Sequence, residues 1–309
     1  MFGKIGNILV KFDFNYMLRK LTFIILRVMG IKKIFSESPI NYKKLRKSDQ
    51  KKPPKSFYKK FTVGELTVDE TKIYKIENKS KKYKELVIFI HGGAFVSGPA
   101  EHHWKAVEKI VKHSGKDVWL LDYPKAPEFT IEQICDSIDS VFEFAVQTKV
   151  LPENIILIGD SVGGNLIMSL TQRLIQKKKE LPGKLVLITP VFDASLTNMD
   201  IKIIESKDPM LGIKGALSAK ELAAGTLDLK DQMISPLYGS FKGFPKTDIY
   251  IGEYDIMYPD AKIGVNKMKK EEVEVQVING EKMPHIFPLL PILPEAKIAL
   301  NQIINSIRE

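Results

Sequence analysis

Six short, strongly apolar runs recur along the chain: ELVIFI (85–90), DVWLL (117–121), NIILIG (154–159), KLVLIT (184–189), DIYIG (248–252) and VEVQVI (273–278). They are too short for helices and too apolar for strands with one wet face, so they read as strands buried on both sides. Residues 131–147, 162–179, 260–270 and 294–307 lie between or after them and carry the helical spacing of apolar positions. Strand and helix in alternation predict an α/β protein with a mostly parallel, doubly wound sheet. FTVGELTV and TKIYKIEN, ahead of residue 85, would add antiparallel strands at one edge.

Two segments break this rhythm. Residues 41–60, NYKKLRKSDQKKPPKSFYKK, read as a polar, proline-containing linker. Residues 195–240 separate two strands by more than a crossover helix requires, which predicts an inserted cap. The expected organisation is therefore cap helices and a basic linker over 1–60, then a core over 61–309 interrupted by a cap insertion at about 195–240.

Charge is concentrated at the front of the chain. The formal net charge is +10, yet residues 1–60 alone hold sixteen Lys or Arg against three acids. Ile5, Ile8, Leu9, Phe12 and Tyr16 fall at helical spacing, and Leu21 to Ile31 is apolar except for Thr22, Arg27 and Gly30. Residues 1–35 thus fit either an amphipathic helix lying on an anionic membrane or a cap helix docked on the protein itself. The apolar run of about 11 residues falls short of the ~20 needed to span a bilayer. Interrupted by Arg27 and without a small-residue cleavage site, it does not read as a secretory signal. Only five basic residues are Arg and no aromatic-interleaved basic motif occurs, so no nucleic-acid partner is expected. A single cysteine, Cys135, excludes an internal disulfide and multi-thiolate zinc sites; its helical surroundings make it a core filler. Together these features predict a cytoplasmic protein or one peripheral to a membrane, with monomer and dimer both left open.

In an open parallel sheet, function gathers at the C-terminal ends of strands. LIGDSVGGN (157–165) puts Ser161 at such an end, with Gly159 and Gly163 completing G-x-S-x-G. That pattern describes a tight strand-to-helix turn presenting a serine nucleophile, although the pentapeptide alone also fits a helix N-cap. A serine hydroxyl needs a base, and hydrolases of this architecture order the partners Ser, acid, His. Of five histidines only His285, in GEKMPHIFPLLP, follows Ser161. The acid should leave another strand end between them. Asp255 in IGEYD is best placed; Asp193 in TPVFDAS is the alternative, and Glu253 and Asp260 are less well placed. FIHGGAF (89–95) brings two glycines off a strand end, where main-chain N–H groups can approach an oxyanion, with His91 propping the loop.

From about residue 60 onward the chain resembles the hormone-sensitive-lipase-like family of α/β-hydrolases, bacterial carboxylesterases included. HGGAF is similar to the family's H-G-G-G/A loop and DYPKAPE (122–128) to its D-Y-R-L-A-P-E. GDSVGGN is similar to G-D-S-A-G-G-N, GEYD to its acid motif, and PHIF to the H-G-F around its base. The resemblance implies Ser161 as nucleophile, His285 as acid and base, and Asp255 as its orienter. It implies an oxyanion hole from Gly93, Ala94 and Val162, with Gly92 in the same loop, and a cap made from the N-terminus and the insertion. Pro124 stands where the family has arginine, which puts a structural salt bridge in doubt. Val162 and Ile286 are bulkier than the usual Ala and Gly.

The expected protein is a serine carboxylesterase of short- to medium-chain esters, working through an acyl-enzyme with no metal or organic cofactor. Activity should fall as pH drops through the histidine range near ~6.5. Three alternatives stand beside it: an amidase or deacetylase on the same triad, a small-molecule receptor on a hydrolase scaffold, and a membrane-bound lipase using the basic N-terminus.

Overall fold

The computed structural model describes residues 17–79, 85–148 and 150–308. Its strands are β1 (Thr62–Val68), β2 (Thr71–Glu77), β3 (Leu86–Ile90), β4 (Asp117–Asp122), β5 (Ile155–Asp160), β6 (Lys184–Ile188), β7 (Thr247–Tyr254) and β8 (Val275–Pro284). They form one sheet ordered β1-β2-β4-β3-β5-β6-β7-β8. β3 to β8 pair in parallel, and β1 and β2 extend the β4 edge antiparallel. Five of the six apolar runs form strands buried on both faces; the sixth overlaps β8, which closes the sheet at its edge with Gln276 and Asn279 exposed, so it is not buried on both sides as expected.

Their composition follows from what covers them. Along β3, Ile88 and Ile90 enter one buried cluster while Val87 and Phe89 enter the other, because successive side chains leave opposite faces. With both faces dry, each buried aliphatic side chain contributes about 1.5–3 kcal/mol and no position on the strand is free to be polar. Helices α6 (Ile131–Gln147) and α7 (Val162–Gln176) pack on the Ile88 face. Helices α5 (Glu101–Ser114) and α11 (Pro294–Ser306) pack on the Phe89 face. α5 was not expected from the sequence. Cys135 is unpaired and fully buried on α6.

Between β6 and β7 lie two helices, α8 (Asp200–Glu205) and α9 (Ile213–Ala224). Upstream, residues 17–28 form helix α1, followed by α2 (Ile31–Phe35). α2 is fastened to the insertion: Lys32 Nζ donates to the carbonyls of Glu205 (2.6 Å) and Leu211, and Ile40 N donates to Ser218 Oγ at 3.1 Å. Gly215 permits this approach, since a Cβ there would stand 2.6 Å from the Phe35 backbone. Residues 31–40 therefore dock on the protein itself, while Ile5 to Tyr16 lie outside the described residues.

The segment 41–60 is not a free linker. It holds α3 (Tyr42–Leu45), a 3₁₀ turn (Arg46–Ser48) and α4 (Lys55–Lys60). Gln50 N donates to the Pro99 carbonyl and Trp104 Nε1 to the Gln50 carbonyl, both at 2.7 Å. Lysine-rich composition marks this chain as solvated, but its main chain finds partners in the 96–100 loop. No helix among the described residues is long and apolar enough to cross a membrane.

Candidate active site

Ser161 sits between the last residue of β5 and the first of α7 with φ 53° and ψ −119°, a left-handed backbone that non-glycine residues rarely adopt. Main-chain bonds on both sides hold it: Ser161 N donates to the Ile188 carbonyl at 2.8 Å, and Val191 N donates to the Ser161 carbonyl at 3.2 Å. The turn closes because of its glycines. A Cβ on Gly163 would stand 1.9 Å from the Ile90 carbonyl oxygen, an impossible contact. The G-x-S-x-G spacing thus lets α7 start directly against the end of β3.

The loop after β3 turns sharply, with φ of 125° at Gly93, 56° at Ala94 and 63° at Phe95. Gly92 N donates to Asp160 Oδ1 at 3.0 Å, so this amide is committed to the loop's own support. Among the described residues the amides of Gly93 and Ala94 donate to no protein acceptor, and Val162 opens α7, where helix amides lack internal partners. His91 is fully buried, stacks on Tyr123 with ring centroids 4.4 Å apart, and places Nδ1 2.5 Å from the Gly92 carbonyl. Burial drives its pKa well below the usual histidine value, so it is neutral and donates to that carbonyl.

Of the acids considered from sequence, Asp255 is the one joined to His285: Nδ1 lies 2.7 Å from Asp255 Oδ2, and both residues are buried. Met257 N donates to the other Asp255 oxygen at 2.9 Å. Asp193 instead accepts from Ser195 N, Ser235 Oγ and Tyr238 Oη; Glu253 accepts from Asn279 and Lys282; Asp260 accepts from Asn198. Burial disfavours the imidazolium of His285, but the charge and hydrogen bond of Asp255, with Asp208 and Asp160 beyond it, raise its pKa above the ordinary value.

Ser161 and His285 line one cavity of about 130 Å³, together with Gly92, Gly93, Ala94 and Val162. Ile31 and Phe35 of α2 and Met210, Leu211 and Ala216 of the insertion form its apolar cover. Three neighbouring features were invisible in the sequence. Asp208 accepts from the amides of Met210 (2.8 Å), Leu211 (2.9 Å) and Ile256 (3.0 Å), tying the insertion to the turn that carries Asp255. Burial and the nearby Asp255 charge push Asp208 up to about 6. Arg46 pairs with Glu128 of DYPKAPE at 2.6 Å and donates to the Val96 and Ala126 carbonyls at 2.7 and 2.8 Å. The segment 41–60 thus supplies a cation to the motif in which Pro124 replaces arginine. Finally, Lys220 of α9 lies buried in the cavity wall.

His102, His103 and Asp160 bring their ligating atoms within 4.8 Å of one another. Their bonding argues against a metal. His103 Nδ1 accepts from Ala100 N at 2.8 Å, so the proton resides on Nε2, which faces Asp160 Oδ1 at 3.2 Å and offers no lone pair. His102 is held neutral, its pKa lowered to about 3 by burial and by His103. The cluster braces Asp160, and through it Gly92.

A parallel sheet with a strained serine at one strand end and a histidine–aspartate pair beside it defines the α/β-hydrolase class. The alpha/beta hydrolase fold family matches residues 87–289, and the chain belongs to it. The relatives it resembles in sequence are esterases. An esterase of Acinetobacter venetianus is 31% identical over 71% of this chain and 73% of its own length. Esterase LipU of Mycobacterium tuberculosis is 29% identical over 73% and 78%. Among solved structures, a candidate esterase from Staphylococcus aureus superposes with a TM-score of 0.82 at 28% identity, over 91% of this chain and 96% of its own. An esterase from the bacterial hormone-sensitive lipase family gives 0.78 at 24%, over 86% and 88%.

Proposed function

We propose that the protein is a serine carboxylesterase in which Ser161 is the nucleophile, His285 the general base and acid, and Asp255 the group that orients and stabilises the imidazolium. The observation that carries this reading is the 2.7 Å His285–Asp255 bond at the wall of the cavity that Ser161 also lines. His285 Nε2 takes the Ser161 proton as Oγ bonds to the ester carbonyl carbon. The carbonyl oxygen becomes an oxyanion held by the amides of Gly93, Ala94 and Val162. Nε2–H then protonates the alcohol oxygen as the C–O bond breaks, leaving an acyl-serine that water cleaves by the same steps. Neither step calls for a metal or organic cofactor.

A fluorophosphonate probe separates this from a receptor on the same scaffold. Stoichiometric labelling at Ser161, abolished in Ser161→Ala, is expected; an unlabelled native protein overturns the reading. A panel of esters and matching amides tests the leaving group, with esters preferred. The cavity is slightly smaller than the ~150 Å³ that holds a benzene ring in an engineered protein core, so acyl chains of about two to six carbons are favoured.

One observation favours membrane contact as a second reading. On α1, Met17, Leu21, Ile24 and Val28 form an exposed apolar stripe at helical spacing, opposite the buried Thr22 and Leu26, with Lys20 and Arg27 exposed beside it. An apolar stripe among cations suits an anionic bilayer surface. The full chain should cosediment with phosphatidylserine-containing vesicles but not with pure phosphatidylcholine, and Leu21→Glu/Ile24→Glu should abolish this. Equal sedimentation of both proteins would end the idea.

A further inference from the structure

Lys220 is the least expected charge in the molecule. It is 2% exposed, on the face of α9 that meets the cavity wall, beside Met210, Leu211, Ala216 and Met257. An ammonium group has three donors, and the hydrogen-bond partner it finds among the described residues is Met257 Sδ at 3.8 Å, a weak acceptor. It forms no ion pair with a described residue. A buried, unpaired ammonium disfavours folding strongly, whereas a leucine or methionine there would complete the apolar cover at no such cost. The carboxylates that act on it from a distance are Asp260 on α10 (Tyr258–Lys270), Asp193 after β6 and Asp255 after β7. Asp193 and Asp255 are engaged by groups of their own, and Asp260 keeps one oxygen without a partner. None of the three closes on the lysine. Among the described residues Lys220 is also the only Lys or Arg lining the cavity.

We infer that Lys220 is a recognition group for an acidic ester, a substrate carrying a carboxylate a few carbons from the scissile bond on the part that fills the cavity beneath α9. The inference rests on the esterase reading and narrows it to monoesters of short dicarboxylic acids and their chemical equivalents. Substrate binding supplies the acceptors the ammonium lacks, and an uncharged acyl chain leaves it unsatisfied. Burial lowers the lysine to about 8, with the three aspartates opposing, so it is mostly charged at neutral pH.

The test compares monoethyl succinate with ethyl 4-methylpentanoate, its uncharged isostere, by proton release at pH 7. The native protein should favour the acidic ester in kcat/KM by about 10- to 100-fold, the range for a hydrogen bond to a charged group. Lys220→Met should lose that preference and Lys220→Arg should keep part of it. The ratio should also decline above pH 8. His285 affects both substrates alike, and of the carboxylates that act on the lysine, Asp193, Asp255 and Asp260, burial raises Asp260 only to about 6, below this range, so the decline reports the lysine. Equal rates on the two esters, or a ratio unmoved in Lys220→Met, overturn the inference while leaving the esterase standing. If neither ester is turned over, calorimetric titration of Ser161→Ala with each compound makes the same comparison by binding. Tighter binding of the acidic compound supports the inference, and equal binding ends it.

Discussion

The two walls of the cavity are built in different ways. On the sheet side, Ser161, Gly92, Gly93 and Ala94 are placed by main chain against main chain: a carbonyl 1.9 Å from where a Gly163 Cβ would be, an amide bonded across to β6, a loop amide held by Asp160. On the cover side, α2 and the insertion are joined by side chains reaching main chain: Lys32 donates to the carbonyls of Glu205 and Leu211, Ser218 accepts from the Ile40 amide, and Asp208 accepts from three amides. Main-chain packing admits almost no substitution, which suits chemistry that must be held within a fraction of an ångström. Side-chain ties can be exchanged one at a time, which suits a surface that decides what is admitted. The pattern predicts that changes on the sheet side alter rate by orders of magnitude, and changes on the cover side alter preference and stability by less.

The sharpest break is at the proposed nucleophile. Ser161→Ala removes no packed group of any size and should leave the circular-dichroism spectrum and Tm near native, while ester turnover falls by about 10⁴- to 10⁶-fold. Retention of a tenth of the activity would show that the strained serine is architectural.

Next in size is the acid side, where the two walls meet. In the proposed reaction His285 must be neutral to accept the serine proton, and its pKa is raised, so kcat/KM should fall with acid through a midpoint above 6.5, higher than the sequence alone suggested. Asp208 is one of the charges that raises it. In Asp208→Asn that charge is gone, so the midpoint should move down, with a loss of about 1–3 kcal/mol from amides left with fewer acceptors. A midpoint unchanged in Asp208→Asn would place His285 under the control of Asp255 and Asp160.

How much of this was legible in the sequence divides along the same line. The five inner strands could be read because a strand covered on both faces has almost no polar positions, whereas β8, at the sheet edge, was readable only from its short apolar run. Ser161, the HGGAF loop and the Asp255 and His285 motifs could be read because tight turns at strand ends demand particular residues at fixed spacing. α5 is not among the helices expected from the sequence, although Trp104, Val107, Ile110 and Val111 carry its apolar face. Lys220, in SAKELAA, and Arg46, in KKLRKS, look like ordinary solvated charges. Nothing local distinguishes them, because Met257 beside the first and the carbonyl partners of the second lie more than 30 residues away in sequence. The Asp208 contacts with Ile256 are hidden for the same reason.

Arg46 gives the smallest effect and the finest comparison. Its ion pair with Glu128 is partly exposed, and such pairs contribute only ~0–1 kcal/mol. Its bonds to the Val96 and Ala126 carbonyls are more sheltered and brace the loop two residues from Ala94. If the carbonyl bonds carry the stabilisation, Arg46→Met should destabilise by about 1–2 kcal/mol, lowering Tm by about 2–5 °C, and reduce kcat/KM less than ~10-fold. Glu128→Gln keeps the carbonyl bonds and should lower Tm by less than ~2 °C. Equal losses in the two variants would assign the stabilisation to the ion pair. The cover would then depend on a surface charge pair, and its grip on the loop should weaken with added salt.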